Sequence, residues 1–425
     1  MVKEKRVTLS LSKGMKQTEL GWIPEDWEVV RLKYVLSSYK LGGNYQTTDV
    51  RNENPLIKMG NIERGRINLS KLEYITSELN SSDLLKFGDV LFNTRNTLDL
   101  VGKVAIWTNE LSRAFYNSNL LRFHFKKDLI GSNFFVNAIF NDKKTLKQLA
   151  DIATGTTSVA AIYTKDLLEI QIPLPSLPEQ QAIATALSDC DAWIDSLEKV
   201  IAKKQLIKQA AMQELLTPKE GWEVKNLGEI GSCLRGVSYS GESDLFNSDN
   251  EYSVKLLRSN NVFNSKVIFE NVQNVNKQRV KEQQIIRRND VLICMANGSK
   301  DLVGKAGYCN KIFDTGKFTF GAFMGIFRLN CSIVHPYFLY NNFLTRNYRN
   351  YIDLLLSGSS INNLKPSDIE QITINIPSYS EQTRIATILS DMDAEIEALE
   401  RKLHKARQIK QGMMQELLTG RVRLV

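Results

Sequence analysis

The chain has few of the residues that usually build metal or catalytic sites. Its 425 residues include only three histidines, which lie far apart at His124, His335 and His404. No metal site and no histidine-based triad follows from that spacing. The five cysteines form no CxxC pair, and their odd number argues against a secreted disulfide framework. We therefore expect a cytoplasmic protein with reduced thiols and no bound metal.

Several motifs that would indicate an enzyme are also missing. No two of the nine prolines are adjacent, which excludes the Asp/Asn-Pro-Pro-aromatic motif of amino-methyltransferases. The nearest match to a GxxxxGK[ST] phosphate loop, GSKDLVGK at residues 298–305, has the wrong spacing and continues with Ala306 instead of a hydroxyl residue. No apolar run approaches the ~18 residues of a membrane span. By itself the chain is expected to be non-catalytic.

Positive charge is unevenly distributed along the sequence. The formal net charge is +8, but the segments 178–217 and 380–419 carry −2 and −1, so the remainder of the chain carries +11. Basic surface raises the local concentration of polyanions and supports contacts to phosphates. The charge distribution therefore favours a nucleic-acid partner for the parts of the chain outside these two segments.

The chain is a tandem repeat. Residues 172–217 and 374–419 match at a constant offset of 202, with 26 of 46 positions identical, and both copies end in MQELLT. Weaker matches lie upstream, and they pair WEVVRLKYV with WEVKNLGEI, GDVLF with NDVLI, and DLVGKVA with DLVGKAG. Elsewhere the halves share little. The repeats therefore have a common framework on which much of the content has diverged.

The two matching segments predict long helices. Each begins after a proline, Pro178 or Pro377, and carries a glutamate, Glu179 or Glu381, near its first turn, where negative charge suits the helix dipole. Each could run for ~37 residues, or about 55 Å. Apolar residues recur at the 4-3 spacing of a coiled-coil seam. We predict a seam formed by Ile183, Leu187, Cys190, Ile194, Leu197 and Ile201 in the first helix and by Ile385, Leu389, Met392, Ile396, Leu399 and Leu403 in the second.

The seam residues have three possible partners: the helix's own globular domain, the other helix, or a second copy of the chain. A domain of ~150 residues is only about 30–35 Å across, so a 55 Å helix extends beyond it. We predict that the two helices pair antiparallel, with a homodimer as the alternative. Off-seam residues are identical too, in Ile207-Lys208-Gln209, Ile409-Lys410-Gln411 and MQELLT. We hypothesise that these helix ends present equivalent surfaces to two copies of another protein.

This framework resembles the specificity (S) subunit of type I restriction-modification enzymes. The resemblance is carried by GWIPEDW at residues 21–27, by the DVL and DLVGK segments of both halves, and by the two helix segments that end in MQELLT. It covers nearly the whole chain, from about residue 16 to the end.

The resemblance implies an α/β fold with two pseudo-symmetric target-recognition domains separated by two long helices that form an antiparallel coiled coil. Each domain would read one half of a split site in double-stranded DNA, and the helices would set the gap. Two methylase (M) subunits, which bind S-adenosylmethionine, would dock around the helices, and restriction (R) subunits would join for cleavage. This subunit would hold no cofactor. The expected segments are an N-terminal arm (1–20), the first recognition domain (21–177), the central spacer helix (178–217), the second recognition domain (218–377), the C-terminal spacer helix (378–419) and a tail (420–425).

Loops that follow the sheet strands are the expected DNA-reading segments, because this family places such loops in the major groove. Arg, Lys, Asn and hydroxyl side chains match the donors and acceptors on base edges. In the first domain the candidates are Lys58, Asn61, Asn93, Arg95, Asn96, Lys103 and Thr156. In the second domain they are Arg258, Asn260, Asn261, Asn297, Ser299, Lys300, Lys305, Ser359 and Asn362.

These candidates have different expected roles. Lys103 and Lys305 occupy equivalent positions and would hold phosphates, or else belong to a structural Gly-Lys turn. The hydroxyl residues around Thr156 and Ser359 follow glycines and would let backbone amides approach phosphates. For every candidate loop, a solvated surface loop without a ligand is the alternative.

Two other functions are compatible with parts of the sequence. One is a coiled-coil interaction scaffold that reads no DNA, and the charge of +11 outside the helices argues against it. The other is a fused restriction enzyme that acts alone. The missing methyltransferase and phosphate-loop motifs argue against that function.

Overall fold

The structure is a computed structural model, and it describes residues 14–156, 159–310, 317–329, 333–358 and 362–424. The chain divides into two compact units. Unit 1 consists of residues 1–198 and 401–425, and unit 2 consists of residues 199–400. Both boundaries fall inside the long helices, so each unit contains part of both. No helix in the described ranges is long and apolar enough to cross a membrane.

Unit 1 is built mainly from short strands. Its strands are β1 (Met15–Thr18), β2 (Gly21–Pro24), β3 (Glu28–Arg31), β4 (Leu36–Leu41), β5 (Thr47–Thr48), β6 (Pro55–Ile57), β7 (Glu73–Ile75), β8 (Val90–Asn93), β9 (Arg95–Asn96), β10 (Val104–Ile106), β11 (Phe115–Tyr116), β12 (Leu120–Phe125), β13 (Thr154–Gly155), β14 (Ala160–Ala161) and β15 (Gln171–Leu174). Its helices are α1 (Leu32–Val35), α2 (Asn133–Phe140), α3 (Lys143–Ile152), α4 (Thr164–Leu167) and the start of α5 (Leu177–Leu215).

Unit 2 repeats this succession. Its strands are β16 (Glu223–Asn226), β17 (Gly231–Arg235), β18 (Leu245–Phe246), β19 (Ser253–Leu257), β20 (Val262–Phe263), β21 (Lys266–Val267), β22 (Gln273–Asn276), β23 (Val291–Cys294), β24 (Ala306–Tyr308), β25 (Phe318–Phe320), β26 (Met324–Leu329) and β27 (Thr373–Ile376). Its helices are α6 (Leu227–Ile230), α7 (Pro336–Asn342), α8 (Arg346–Ser357), α9 (Pro366–Glu370) and the start of α10 (Tyr379–Leu417).

The two units have matching sheets. The order β10-β8-β12-β4 in unit 1 corresponds to β24-β23-β26-β17 in unit 2, and β11-β6-β7-β5 corresponds to β25-β19-β22-β18. The pairs β11–β6 and β19–β25 are parallel, whereas the neighbours β6–β7 and β19–β22 are antiparallel. The tandem repeat and the expected α/β class are therefore confirmed strand by strand.

The apolar DVL segments form the central strand of each main sheet. Because successive side chains of a strand point to opposite faces, an unbroken apolar run fits a sheet that is covered on both sides. In β8, Val90 and Phe92 enter one core while Leu91 enters another. In β23, Val291 and Ile293 belong to one core, and Leu292 and Cys294 to another.

The chain start differs from the expected arm. Residues 15–18, which the sequence analysis assigns to an N-terminal arm, form β1 and pair antiparallel with β2. The first recognition domain therefore includes residues that the sequence boundary at residue 21 leaves out.

A buried glutamine fixes the start of each long helix. In unit 1, Gln180 accepts a hydrogen bond from the backbone N–H of Gly131 and donates to the carbonyls of Leu129 and Pro175. In unit 2, the equivalent Gln382 has the same three kinds of partner, at residues 335, 333 and 377. Satisfying all of these groups away from water explains why the glutamine is the same in both repeats.

Within each unit the two long helices pack antiparallel. In unit 1, Lys410 Nζ lies 2.5 Å from Asp191 Oδ1. In unit 2, Lys208 Nζ lies 2.6 Å from Asp393 Oδ1. Asp191 and Asp393 are equivalent under the repeat offset of 202, and so are Lys208 and Lys410. The two ion pairs are therefore equivalent. The predicted antiparallel pairing is confirmed within each unit.

Most predicted seam residues are buried, but they have two kinds of neighbour. Leu399 and Leu403 are half-buried, and the other aliphatic seam residues are buried. Ile183 and Leu187 join the main core of unit 1, and Ile385 and Leu389 join that of unit 2. The first turns of each helix thus pack on the globular domain of their own unit, which is one of the three possible partners of the seam residues.

The apolar residues of the MQELLT segments pack against the cores of the two units, so their identity has an explanation other than a partner surface. The hypothesis that the helix ends form partner surfaces stays a prediction. Leu417 and Leu418 are buried in the core of unit 1, and Met414 packs against that core. In unit 2, Met212, Leu215 and Leu216 pack in the corresponding way. The identical apolar letters therefore have corresponding packing sites in the two units. Gln213 and Gln415 are exposed in both copies, whereas the threonine is exposed at Thr217 and buried at Thr419.

The C-terminal tail contacts unit 1 through a partly buried charge cluster. Arg423 forms an ion pair with the buried carboxylate of Glu179, to which the Trp27 indole Nε1–H donates at 2.9 Å. The same guanidinium lies 2.8 Å from Asp26 Oδ2 and holds the pKa of that carboxyl below its usual value. Gly420 permits this approach, because a Cβ there would lie 2.3 Å from Pro24 Cγ.

Arg423→Ala is expected to lower the free energy of unfolding of unit 1 by about 2 kcal/mol, because it leaves the buried Glu179 without its cation. About a third of the Arg423 side chain is exposed, which keeps the loss below that of a fully buried pair. The measurement is calorimetric unfolding of the full chain. The control is Arg421→Ala, whose surface pair with Glu416 is worth at most about 0.5 kcal/mol. Equal, small effects of both changes would contradict this assignment.

Candidate nucleic-acid interface

In unit 2, an open cavity gathers two of the predicted DNA-reading residues. The cavity has a volume of about 710 Å³, and its lining includes Arg258, Ser259 and Asn260 together with Tyr239 and Phe323. Residues 258–261 form a tight 3-10 turn directly after β19, and Phe323 lies in the turn between β25 and β26. Strands β19 and β25 are parallel neighbours, so their ends bring these two turns to one edge of the sheet.

A second cavity, of about 530 Å³, adjoins the first and gathers two more predicted residues. Asn297 and Asn362 line it, and it shares Ser259 and Phe323 with the first cavity. The backbone N–H of Asn297 donates to the carbonyl of Asn362, so the loop after β23 is held against the segment that contains Asn362. Segments that are about 100 residues apart in sequence thus form one surface.

Arg258 has donors to spare. Its guanidinium has no hydrogen-bond or ion-pair partner in the part of the chain that the structure describes, and its Nε is buried without an acceptor. In unit 1, the corresponding Lys58 is bound to Glu73 at 2.7 Å. Glu73 is the first residue of β7, whereas the matching strand β22 begins with Gln273. Without an acidic partner, Arg258 has free donors of the kind that can pair with the two acceptors of guanine.

Unit 1 presents a different set of side chains on the same scaffold. Arg95 and Asn96 form β9, which pairs with Ala160–Ala161, so the two loops are joined here as well. Arg95 is exposed and Asn96 is half-buried. At the position where the Met295 N–H of unit 2 donates to Phe323, the Thr94 N–H of unit 1 donates to Asn119. The equivalent acceptor residues therefore carry different side chains, an amide in unit 1 and an aromatic ring in unit 2.

Three predicted base-reading asparagines have structural roles instead. Asn61 and Asn261 are buried, and each accepts a hydrogen bond from the backbone N–H three residues earlier and donates to two later carbonyls. Asn93 is fully buried, accepts from the Arg95 N–H and donates to the carbonyl of Leu100. The predicted base-reading role of these three residues is therefore wrong, because their buried amides hold the loops in shape.

The remaining candidates are at the surface or outside the described residues. Lys305, Lys300 and Ser299 are exposed, and Lys103 is half-buried. Thr156 is exposed, and its hydroxyl accepts from the backbone N–H of Val159. Ser359 lies outside the described residues, as does Cys331.

Sequence reasoning missed two side chains at this surface. Phe323 is exposed, although an aromatic residue within FTFGAFMGIF is expected to be buried. Arg235, at the end of β17, donates to the Asn363 side chain beside the second cavity, and burial lowers its pKa. No signal in one sequence marks either residue, because their positions depend on strand pairings that bring distant segments together.

Comparisons with known proteins agree with this geometry. The family model described as the type I restriction modification DNA specificity domain matches residues 24–209 and again residues 219–408. The chain belongs to this family, carries two copies of its domain, and has a role in DNA sequence specificity. The resemblance that the repeat motifs suggest is therefore confirmed.

Relatives of known name lie in the same class. The MjaVIII type I restriction enzyme specificity subunit of Methanocaldococcus jannaschii is 24% identical, over 95% of this chain and 94% of its own length. The StySPI specificity subunit of Salmonella potsdam is 33% identical, over 48% of this chain and 43% of that protein. The EcoKI specificity subunit of Escherichia coli K12 is 32% identical over the same shares.

Solved structures share the fold across nearly the whole chain. The type I restriction-modification S subunit from M. genitalium superimposes with a TM-score of 0.59 at 16% identity, covering 92% of this chain and 96% of that one. A chain from a study of complex assembly and conformational transition in a type I R-M system gives a TM-score of 0.55 at 18% identity, covering 94% and 99%. At these identities the likeness establishes the fold alone.

Replacing Arg258 tests its readout role. Arg258→Gln is expected to relax base preference at one position of one half-site by about 10-fold, because one bidentate contact is worth about 1–3 kcal/mol. Binding to DNA variants at fixed salt measures the preference. Arg279→Gln is the control, since Arg279 is bound to Asp244 at 2.9 Å. Equal loss on matched and random DNA after Arg258→Gln would assign this arginine to the phosphates instead.

Lys305 is expected to act on DNA through charge alone. Lys305→Ala should weaken binding to all sequences alike and reduce the slope of log affinity against log salt by about 1. A salt titration of DNA binding measures this slope. Lys277→Ala should leave the slope unchanged, because Lys277 donates to the Glu251 carbonyl and lies over the Tyr252 ring. A change confined to one DNA sequence would show that Lys305 reads bases.

Proposed function

We propose that each unit reads one half of a bipartite site in double-stranded DNA and that the paired helices set the gap between the halves. The observation that carries this proposal is a common backbone framework with different side chains at corresponding positions. The N–H groups of Thr94 and Met295 are equivalent, and each donates to the carbonyl of the residue before the next sheet strand. That residue is Asn119 in unit 1 and Phe323 in unit 2. Two copies that read the same bases would have no reason to diverge there.

Each recognition domain is also tied to the helices at an equivalent point, which supports a spacer role. In unit 1, Arg66 Nη1 lies 3.3 Å from Glu198 Oε2. In unit 2, Lys266 Nζ lies 3.2 Å from Glu400 Oε2, and residues 198 and 400 are related by the repeat offset of 202. When a domain is fixed to its helix, the length of the helix determines where along the DNA that domain binds.

The partners follow from the same proposal. Two methylase (M) subunits would dock on the helices, carry S-adenosylmethionine and transfer the methyl group, while restriction (R) subunits would join for cleavage. Ile207 and Ile409, which are equivalent under the repeat, both have exposed side chains and give two matching apolar sites. Within the described residues there is no cluster of three or more His, Cys, Asp or Glu that could hold a metal. In this proposal the chain supplies sequence recognition, and its partners supply the chemistry.

Lengthening the helices tests the spacer. Four residues are inserted after Lys203 and four after Lys405, which are equivalent positions, and the methylated sites are mapped by single-molecule sequencing in cells that express the methylase. Four residues add about 6 Å to a helix. At 3.4 Å per base pair, the gap should widen by at most about two base pairs while both half-sites keep their sequence.

A strain that lacks this chain is the control and should lose the bipartite methylation. A gap that stays unchanged in the lengthened protein would refute the spacer. If no sequence is methylated in dependence on this chain, the interaction scaffold becomes the better description.

A further inference from the structure

One exposed aromatic side chain lies at the boundary of the two cavities of unit 2. The Phe323 side chain is 71% exposed and lines both cavities. It has no ring partner among the residues that the structure describes. Single exposed apolar side chains are common on protein surfaces. Phe323 differs from the others because it lines both cavities together with the predicted reading residues Arg258, Asn260, Asn297 and Asn362.

The backbone that carries this ring is held from several sides. The carbonyl of Phe323 accepts hydrogen bonds from the backbone N–H groups of Met295, at 2.9 Å, and Ala296, at 3.0 Å. The turn is closed by Met324 N–H donating to Gly321 at 2.8 Å, and Gly321 N–H donates to Leu257 at 3.0 Å. The ring therefore projects from a turn that is fixed to both predicted reading loops.

The neighbours of the ring define what it would meet. Asn260, Asn297 and Asn362 provide amide groups in the two cavities, and Arg258 provides free donors. In the major groove an asparagine can pair with N6 and N7 of adenine, and the partner thymine shows its C5-methyl group on the same edge. A phenylalanine offers no hydrogen bond, so the methyl group is the one feature of that edge that it can match.

We propose that Phe323 contacts the C5-methyl group of a thymine in the half-site read by unit 2, next to an adenine read by one of the cavity asparagines. The proposal rests on the proposed function. Unit 1 has Asn119 at the corresponding backbone position. The methyl contact would therefore distinguish the two half-sites.

Deoxyuridine, which lacks only the methyl group, provides the test. The assembled complex with its methylase subunits is bound to its own site, in which each thymine of the unit 2 half is replaced singly by deoxyuridine. That half is the one whose readout changes in Arg258→Gln. One replacement is expected to weaken binding about 4-fold, the effect of one buried methyl group. Phe323→Ala should bind the thymine site less well and lose the difference between thymine and deoxyuridine.

Two further variants separate the contact from a folding effect. Phe323→Leu keeps an apolar side chain and should retain most of the methyl dependence. Phe263→Ala removes another exposed phenylalanine of unit 2 that lines neither cavity, and it should behave as the unaltered protein.

Three results would overturn the proposal. One is a unit 2 half-site without thymine on either strand, and another is equal binding of every deoxyuridine site by the unaltered complex. The third is an equal loss on thymine and deoxyuridine in Phe323→Ala, which would indicate stacking on a base. In each case sequence-selective binding would remain and the proposed function would stand. Binding without any sequence preference would instead remove the proposed function itself.

Discussion

The pairing of the two long helices is the constraint on which the arrangement of each unit depends. Ion pairs join the two helices in each unit, among them Asp191 with Lys410 in unit 1 and Asp393 with Lys208 in unit 2, at positions that the repeat makes equivalent. Lys208 is only 17% exposed, and Asp393 also accepts a hydrogen bond from Tyr337 of the recognition domain. A charge that is partly removed from water needs its partner, so these pairs favour one register of the helices over others. Packing of apolar seam residues alone would tolerate a slip more readily.

The recognition domains use this fixed base in the same way and present different surfaces from it. Hydrogen bonds that shape the reading loops are shared, as the matched networks of Asn61 and Asn261 show. Side chains that reach the surface are not shared: Lys58 is neutralised by Glu73, whereas Arg258 has no partner in the described chain. Buried polar groups must be satisfied in either copy and so resist change. Surface side chains are satisfied by water, so they can differ between the two units according to what each unit binds.

Packing explains why the apolar residues of MQELLT are identical in the two helices. Met414, Leu417 and Leu418 complete the core of unit 1, into which the start of the first helix also packs. A core of fixed shape accepts few alternatives at close packing, which is sufficient reason for the same letters to recur. Identity between repeats therefore indicates a common environment, and that environment can be the protein interior as well as a partner. Ile207 and Ile409 are identical, apolar and exposed, so packing gives no reason for their identity.

The sequence by itself determined the repeat, the two long helices, their antiparallel pairing, the apolar central strands and the family. Each of these has a periodic or local signature that repeats at a fixed offset. It also placed Arg258, Asn260, Asn297 and Asn362 correctly in loops that reach one surface. Only the tertiary structure decided that Asn61, Asn93 and Asn261 face inward and that Phe323 faces outward. The direction of a loop side chain depends on hydrogen bonds and strand pairings to segments far away in sequence, and no local pattern records them.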